Sequence, residues 1–448
     1  MVDAMEALHA LQERAGLAAA EPQAMEIITE IKPPNFHDDW PEPIAEEAYH
    51  GIIGMAVRAI EPHSEADPVA ILVSLLTFSG NAIGRKPYSM AGGDRHGTNL
   101  FAVLAGETAK GRKGSATGWP KYLLDAVDHP WTDDRLKGGM SSGEGLIWNV
   151  RDAIEQRQPL KEGKKLTGDF ETVVVDPGVE DKRLLAYEPE FASVLKVMSR
   201  DNNTLSTQVR QAWDSGTLRT MTKNNPAVAT SAHISILGHI TKDELLRYLQ
   251  DTEAANGFAN RFLWIMVKRS KFLPEGGGKP DFRNVTQGFH EATEKAKIIG
   301  ELARDKQTRE AWATVYPELS GDKAGLFGAV TARAEAQVLR LSVLYAALDG
   351  DIAIRLPHLA AALAVWEYAE RSAKYLFGDA IGDPVADRII ESLRMFGRQS
   401  RTDINNIFKR HIPAARISQA LNLLYELKRA TFLREDTGGR PTEYWIPL

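Results

Sequence analysis

The hydrophobic pattern of the chain changes from helical spacing to strand-like runs and back between residues 45 and 377. From Ala45 to Asn81, apolar residues recur three or four positions apart, which predicts helices interrupted at Glu61-Pro62. From about residue 100 to 270, short apolar runs typical of buried strands alternate with helical patterns. This alternation predicts an α/β fold with a mostly parallel sheet flanked by helices.

The predicted strands of this region are short and bounded by turn residues. They cover Leu100–Ala105, Arg135–Met140, Glu171–Asp176, Arg183–Tyr187, His233–Ile240 and Phe262–Val267. Helices are predicted at Trp119–Val127, from Ser141 through Ile154, and at Phe191–Met198, Leu205–Trp213 and Lys242–Gln250. Because Pro177-Gly178 separates the third and fourth strands, a hairpin is one expectation for that pair.

Shifts in composition divide the chain into four predicted parts. Residues 1–45 form an N-terminal arm with a short helix at Met5–Leu17, and residues 46–272 form the α/β core. The linker Leu273–Pro280 leads to a helical domain at 281–378, with strongly amphipathic stretches at Ala332–Leu348 and Leu356–Tyr375. A separate C-terminal domain follows at 383–448.

The last part has the pattern of a winged helix, with short helices followed by a hairpin around Asp436–Pro441. Between Arg394 and Arg440 there are ten Lys and Arg against four Asp and Glu, a local charge of +6. Such a module binds DNA or mediates dimerisation, and a structural cap with a solvated basic face is the alternative.

Composition limits the classes of function. The 448 residues carry a net charge of −6, so any nucleic-acid contact must be local. The absence of cysteine excludes disulfides, thiolate metal sites and cysteine nucleophiles, and agrees with a reducing cytoplasm. No apolar run has the length of a membrane span, and the acidic N-terminus lacks a signal-peptide core. A cytoplasmic protein without a membrane partner is expected.

The strand at Leu100–Ala105 leads into a glycine-rich basic turn. The turn contains Gly106, Lys110, Gly111, Arg112, Lys113 and Gly114, and Ser115 follows. A strand, a glycine turn and a helix start together form a phosphate cradle, in which Lys113 would contact the β- and γ-phosphates and Ser115 would hold Mg²⁺. Arg112 occupies the position where a regular phosphate loop has its lysine, so an ordinary basic surface turn is the alternative.

Carboxylates follow other predicted strands at the end where parallel sheets bind ligands. Glu188 is the candidate for binding the metal, and Glu144 is the candidate for orienting or deprotonating the attacking water. Glu190 is an alternative for either role. Asp176 is a second alternative, although its position before Pro177-Gly178 is more typical of a turn residue. Glu144 also fits the first turn of a capped helix.

A histidine and two arginines complete the candidate site. His239, near the end of a predicted strand, is the candidate for sensing the γ-phosphate, although a satisfied polar residue is the commoner role. We expect the turn at Gly257–Asn260 to leave Arg261 exposed, so that it reaches the nucleotide of a neighbouring subunit as an arginine finger. Arg269 is the alternative finger, and ordinary surface arginines are the simpler interpretation of both.

Five segments, in this order, resemble a functionally uncharacterised family of RecA-like P-loop ATPases of plasmid, prophage and phage replication proteins, sometimes fused behind a primase. The segments are Gly106–Ser115, Ser141–Leu146, Leu184–Ala192, Ile236–Thr241 and Asn256–Trp264. The resemblance covers roughly residues 45–378 and is specific as a set. The chain is similar, more distantly, to RepA-type hexameric replicative helicases.

The resemblance implies a RecA-like core that uses ATP and Mg²⁺, with Glu144 as catalytic base and Glu188 as the metal-side acid. It also implies a γ-phosphate sensor at His239 and a finger arginine near Arg261. The sequence departs from the pattern in the lysine spacing and in having Glu rather than Asp at 188. These departures leave open slow hydrolysis or a nucleotide-binding switch without hydrolysis.

The resemblance also places single-stranded DNA at loops near a ring axis. Here these are the 214–226 loop, with Arg219, Lys223 and Asn224, and less strongly the 241–258 segment. Duplex DNA is expected at the winged helix, whose candidate contacts are Arg401, Arg416 and Arg440.

The expected function is an ATP-dependent DNA-translocating or helicase-like protein of mobile-element replication. It would act as a ring homo-oligomer, with a hexamer favoured and a primase as a further partner. The alternative is a non-motor DNA-binding replication initiator or regulator in which nucleotide switches assembly. A phosphotransferase acting on a small substrate is disfavoured, because no lid or substrate-pocket motif is visible.

Overall fold

The structure, a computed structural model, describes residues 40–107, 113–162, 165–221, 227–249, 253, 256–323, 325–378, 383–409, 411–435 and 442–448. Several predictions concern residues outside these ranges. They are the helix at Met5–Leu17 and the site residues Lys110, Gly111, Arg112, Lys223, Asn224 and Arg440.

Helices and strands alternate along the described chain. The helices are α1 (Gly51–Ile60), α2 (Pro68–Ile83), α3 (Ser115–Asp125), α4 (His129–Arg135), α5 (Gly143–Trp148), α6 (Phe191–Met198), α7 (Leu205–Asp214), α8 (Lys242–Tyr248), α9 (Arg283–Ile298), α10 (Lys306–Leu319), α11 (Gly325–Thr331), α12 (Ala334–Asp349), α13 (Leu356–Phe377), α14 (Pro384–Phe396), α15 (Arg401–Ile407) and α16 (Ala414–Glu426). The strands are β1 (Tyr88–Ala91), β2 (Asp94–Gly97), β3 (Phe101–Gly106), β4 (Leu136–Lys137), β5 (Ile154–Glu162), β6 (Lys165–Asp176), β7 (Arg183–Glu188), β8 (Leu218–Arg219), β9 (Val228–Ala229), β10 (His233–Thr241), β11 (Leu263–Met266), β12 (Ala303–Arg304), β13 (Ala353–Ile354), β14 (Gln399–Ser400), β15 (Ala430–Glu435) and β16 (Thr442–Pro447).

A five-stranded parallel sheet with the order β11-β3-β10-β7-β4 lies at the centre of the fold. Two of its three inner strands, β3 and β10, are buried along nearly their whole length. Strands covered on both faces are apolar throughout rather than alternating, which is the pattern that the sequence has there. The predicted α/β class is therefore confirmed, although the strand expected at Arg135–Met140 is only the two-residue β4.

Two predictions between β4 and β7 are wrong. The helix that begins after Ser142 ends at Trp148, and Ile154 begins β5 instead of ending that helix. The hairpin partner of β6 is β5 and not β7. The reason is burial, because Leu184–Ala186 of β7 is apolar enough to enter the central sheet, whereas β6 exposes Val174 and Val175 on a two-stranded ribbon.

The strand order reverses between β3 and β10. From β3 the chain continues to β4 at one edge of the sheet, whereas from β10 it continues to β11 at the other edge. The connections therefore leave these two neighbouring strands in opposite directions and open a crevice beyond their carboxyl ends. Open parallel sheets bind their ligands at such a crevice.

Helices that precede the sheet strands in the chain and helices that follow them belong to the same hydrophobic core. Buried residues of α1 and α2, which precede the sheet, and of α9, α12 and α13, which follow it, belong to one cluster. Every residue of α12 from Ala336 to Leu348 is buried, so the amphipathic pattern expected there is wrong and this helix is enclosed on all faces. The predicted boundary at 272–281 stays a prediction.

The C-terminal module, residues 383–448, has a hydrophobic cluster of its own, which includes Ile389, Leu421 and Trp445. Its strands form an antiparallel sheet in the order β14-β16-β15. Helices α15 and α16 and the paired strands β15 and β16 confirm the short helices and the hairpin that the sequence predicts here. In the part of the chain that the structure describes, no helix is long and apolar enough to cross a bilayer.

Candidate functional site

The predicted phosphate cradle begins where β3 ends, at Gly106. Lys113 and Gly114 lead into α3, which starts at Ser115. The Lys113 side chain is buried, with 9% of its surface exposed, whereas Ser115 is exposed. Gly114 has a φ of −61° and open space at the position of a Cβ, so neither sterics nor backbone conformation requires glycine there.

Burial acts on the charge of Lys113. It lowers the pKa of this ammonium group, and the negative charges of Glu244 and Glu190 act in the opposite direction. These carboxylates lie at the start of α8 and immediately before α6. Lys113 therefore lies within electrostatic reach of the residues that follow both β10 and β7.

Glu188 is the last residue of β7 and is 6% exposed. Its Oε1 accepts a hydrogen bond of 2.7 Å from the main-chain N–H of Met140. Burial raises the pKa of Glu188, and the N–H groups of Met140 and Gly139 offset part of this increase. No Lys or Arg of the described ranges forms an ion pair with this carboxylate.

Tyr187 links three segments beside this carboxylate. Its hydroxyl lies 3.0 Å from Oγ1 of Thr117, in the first turn of α3. Its ring packs edge-on against His239 of β10, with 5.3 Å between the ring centroids. The start of α3 is thus joined to the carboxyl ends of β7 and β10.

His239 is 3% exposed, and its Nε2 has no hydrogen-bond partner among the described residues. Burial, followed by the positive charge of Lys113, lowers the pKa of His239 to about 4. The ring is therefore neutral at pH 7. We call Lys113, Thr117, Tyr187, Glu188 and His239 the carboxyl-edge site.

Sequence reasoning missed several residues at this edge. Thr241 lies opposite Gly106 in the β3–β10 register and caps α8, because its Oγ1 accepts from the N–H of Glu244 at 3.3 Å and donates to that carboxylate at 2.8 Å. The Thr-x-x-Glu spacing is the signature of a capping box and could have located Glu244. Thr117 and Tyr187 carry no such local signal, because their contact joins residues 70 positions apart.

Glu144 and Glu190 differ in their surroundings. Glu144 is exposed on α5, where its carboxylate accepts a 3.0 Å hydrogen bond from the hydroxyl of Thr204. Within the described ranges, no contact joins Glu144 to Lys113 or Glu188. Glu190 is also exposed, but its charge acts on Lys113. The roles expected for both residues stay predictions.

The expected exposure of Arg261 is wrong. This side chain is 5% exposed, and it donates from Nη2 and Nε to the carboxylate of Asp214 at 2.6 and 3.2 Å. The local turn gave no sign of this contact, because Asp214 lies 47 residues away in sequence. Arg269, the alternative, pairs with Glu65 and lies over the ring of Phe272.

Asp176 fits its simpler interpretation as a turn residue. Its carboxylate forms two hydrogen bonds with Arg151, at 2.8 and 2.9 Å, and accepts from the N–H of Gly178. These contacts fix the turn that follows β6, so they give Asp176 a structural role.

The candidate DNA contacts lie on two different surfaces. Arg219 is exposed on the short hairpin of β8 and β9. In the C-terminal module, Arg401 is exposed, donates to the hydroxyl of Ser418 and lies 3.8 Å from the carboxylate of Glu443. Arg416 donates to both carboxylate oxygens of Asp383 at 2.8 Å. The guanidinium of Arg416 is therefore already occupied by a carboxylate.

The sequence matches no protein-family model, and a search of curated proteins found no match either. A function for this chain must therefore be argued from its own residues.

Proposed function

We propose that this chain is an ATPase that holds the phosphates of ATP and a Mg²⁺ ion at the carboxyl-edge site. The observation that supports this proposal is the burial of three ionisable groups, Lys113, Glu188 and His239. They lie near the carboxyl ends of β3, β7 and β10, where the order of the parallel strands reverses. Ligands of such sheets bind at this position, and buried groups with displaced pKa values concentrate at functional sites.

The polar contacts of these groups favour a ligand over a purely structural network. Buried polar atoms in a structural network normally satisfy one another. Here Glu188 is held by main-chain N–H groups, and Nε2 of His239 lacks a partner among the described residues. A bound phosphate would supply a hydrogen-bond partner for this nitrogen.

The residues fit a magnesium nucleotide. Mg²⁺ prefers oxygen ligands and commonly binds one or two carboxylates together with substrate phosphates. The Glu188 carboxylate, without an ion pair in the described ranges, and the Ser115 hydroxyl at the start of α3 are oxygen donors of this kind. The ion would neutralise charge on the phosphates, and Lys113 would hold the β- and γ-phosphates at the N-terminus of α3.

A carboxylate is needed to orient the attacking water. The charge of Glu190 acts on Lys113, whereas the carboxylate of Glu144 is bonded to Thr204. This difference favours Glu190 over Glu144 for the role. Arg261 would have to leave Asp214 before it could act on the nucleotide of a neighbouring subunit.

We further propose that the core is RecA-like, that the C-terminal module is a winged helix, and that a ring of subunits couples hydrolysis to movement along DNA. The order helix, strand, two helices and hairpin in residues 384–447 supports the second point. Exposed Arg219 on the β8–β9 hairpin and exposed Arg401 support two separate DNA contacts.

The deciding experiment measures Mg²⁺-dependent ATP turnover by the full chain with and without single-stranded DNA, and duplex binding in parallel. Turnover that single-stranded DNA stimulates would support the motor. Tight sequence-specific duplex binding that depends on nucleotide, without turnover, would support the initiator. Absence of both nucleotide binding and turnover would contradict both.

A further inference from the structure

A cleft of about 680 Å³ opens beside the start of α3. Three segments form its walls: the first turns of α3, the turn at 63–65, and the chain that follows β11. The lining residues include Ser115, Gly118, Trp119, Tyr122, Arg269 and Pro274. Ser115, the residue that would hold Mg²⁺, is therefore also a lining residue of the cleft.

The cleft and the strands of the carboxyl-edge site belong to different sides of β3 in the strand order. The cleft wall at 269–276 follows β11, which neighbours β3 on one side. Glu188 and His239 belong to β7 and β10, on the other side. A nucleotide whose phosphates lie at Lys113 can therefore extend past Ser115 into the cleft with its nucleoside end.

Aromatic side chains form one wall of the cleft. The rings of Trp119 and Tyr122 meet edge to face at a centroid distance of 5.8 Å, and Phe282 packs against both at 5.8 and 5.9 Å. Phe282 is buried, but Tyr122 is 62% exposed. An exposed aromatic ring that is braced from behind provides a face on which a flat base can stack.

The facing wall is fixed by hydrogen bonds and carries little net charge. The main-chain N–H of Leu273 donates to Glu65 at 2.8 Å, and Nδ1 of His63 donates to the carbonyl of Gly277 at 2.6 Å. Arg269 forms an ion pair with Glu65. A cleft that is preformed and has this arginine neutralised suits an uncharged ring better than a further phosphate.

We propose that this cleft binds the nucleobase and ribose of the nucleotide whose phosphates bind at Lys113, with the base stacked on Tyr122 beside Trp119. This inference rests on the proposed function and adds the subsite that distinguishes a nucleotide from a bare polyphosphate. The volume lies within the range of small-molecule sites, about 300–1,000 Å³.

The first test compares the affinities of ATP and of inorganic triphosphate, measured by calorimetric titration of the full chain with Mg²⁺. Tyr122→Ala should weaken ATP binding about 10-fold through the lost stacking and leave triphosphate binding unchanged. Tyr316→Ala is the matched control, because Tyr316 is also exposed on a helix and packs against a tryptophan, Trp312, at 5.7 Å. The control should change neither affinity.

A second variant fills the cleft instead of removing its wall. Gly118 lines the cleft on α3, and a Cβ there would meet no atom within 4 Å. Gly118→Leu is therefore compatible with folding, since leucine is also the better helix former. The added side chain should weaken ATP binding at least as much as Tyr122→Ala, again without an effect on triphosphate.

The outcomes separate this inference from the proposed function. If Tyr122→Ala and Gly118→Leu leave the ATP affinity unchanged while Lys113→Ala weakens both ligands, the base lies elsewhere and only the inference is overturned. Equal loss of ATP and triphosphate in the two cleft variants would overturn it as well. If the wild-type chain binds neither ligand, both the inference and the proposed function are wrong.

Discussion

The carboxyl-edge site and the C-terminal module handle their charges in opposite ways. At the edge, Lys113 and Glu188 are buried. Burial lowers the pKa of Lys113 and raises the pKa of Glu188, so it favours the neutral form of each group. In the module, Arg416 pairs with Asp383 and Arg398 pairs with Glu435, all at half-buried or exposed positions. Burial therefore acts against the charged forms in the first region, whereas carboxylates neutralise two arginines in the second.

This difference shows that buried ionisable groups, rather than an excess of charge at the surface, indicate a ligand site. Burying an ionisable group costs several kcal/mol unless a partner compensates it. Nε2 of the buried His239 has no hydrogen-bond partner among the described residues, so a ligand that supplies one should stabilise the protein. Exposed ion pairs contribute about 0–1 kcal/mol and need no such partner. The local charge of +6 counted in the sequence therefore overstates the field that the module offers to DNA.

The largest effect is expected for Lys113→Ala. Removing the buried ammonium should lower ATP turnover about 1,000-fold, since preorganised charge at the phosphates is lost. Lys121→Ala is the control, because Lys121 is a nearby lysine on α3, the helix that Lys113 precedes, and is exposed. Steady-state hydrolysis of both variants checks this. Equal turnover by the two variants would remove Lys113 from the site.

Glu188→Gln should reduce Mg²⁺-dependent turnover about 100-fold, because the amide cannot supply a negative charge to the ion. The same substitution is not expected to destabilise the protein. Burial raises the pKa of Glu188, so the free energy of unfolding of the wild type falls as pH rises from the ordinary carboxyl pKa towards the raised one. Urea unfolding at pH 7 should show the variant to be at least as stable as the wild type. A clear loss of stability with full activity would indicate a structural carboxylate.

His239 gives a pH dependence of opposite sign. Its pKa is about 4 in the folded chain against the ordinary histidine value of 6.5, so the stability that neutral His239 provides is complete above pH 6.5 and is lost as pH falls to 4. The stability difference between wild type and His239→Gln should shrink by about 3 kcal/mol over this interval. Urea unfolding as a function of pH measures it, and a constant difference would contradict the burial of a neutral ring.

The smallest effects are expected in the C-terminal module. Arg401→Ala should reduce the slope of log affinity for duplex DNA against log salt by about 1, as for one lost phosphate contact. Arg416→Ala should leave this slope unchanged, because Arg416 is held by Asp383. Fluorescence anisotropy at several salt concentrations distinguishes the two variants. The reverse result would mean that Arg416 leaves Asp383 to bind DNA.

The sequence predicts the centre of the fold better than its periphery. β3 and β10 are continuous apolar runs, and only a buried parallel strand of this length tolerates that composition. The sequence does not predict β5, because Ile154–Glu162 carries few apolar residues that would reveal the period of a strand. The helix predicted from Ser141 failed beyond Trp148 for the same reason.

Within the candidate site, the sequence identified residues but not their contacts. Glu188 and His239 could be singled out because each is polar at the end of an apolar strand. The burial of Arg261 could not be predicted, since it depends on Asp214 from another helix. The cleft beside Tyr122 could not be predicted either, because its walls come from three distant segments that only the folded chain brings together.

The most direct measurement is a crystal structure of the full chain with Mg²⁺ and a non-hydrolysable ATP analogue. We expect the terminal phosphates within hydrogen-bond distance of the Lys113 ammonium, and the metal ion beside the Glu188 carboxylate. A nucleotide bound away from the carboxyl ends of β3 and β10, or a site that stays empty at saturating nucleotide, would contradict the assignment.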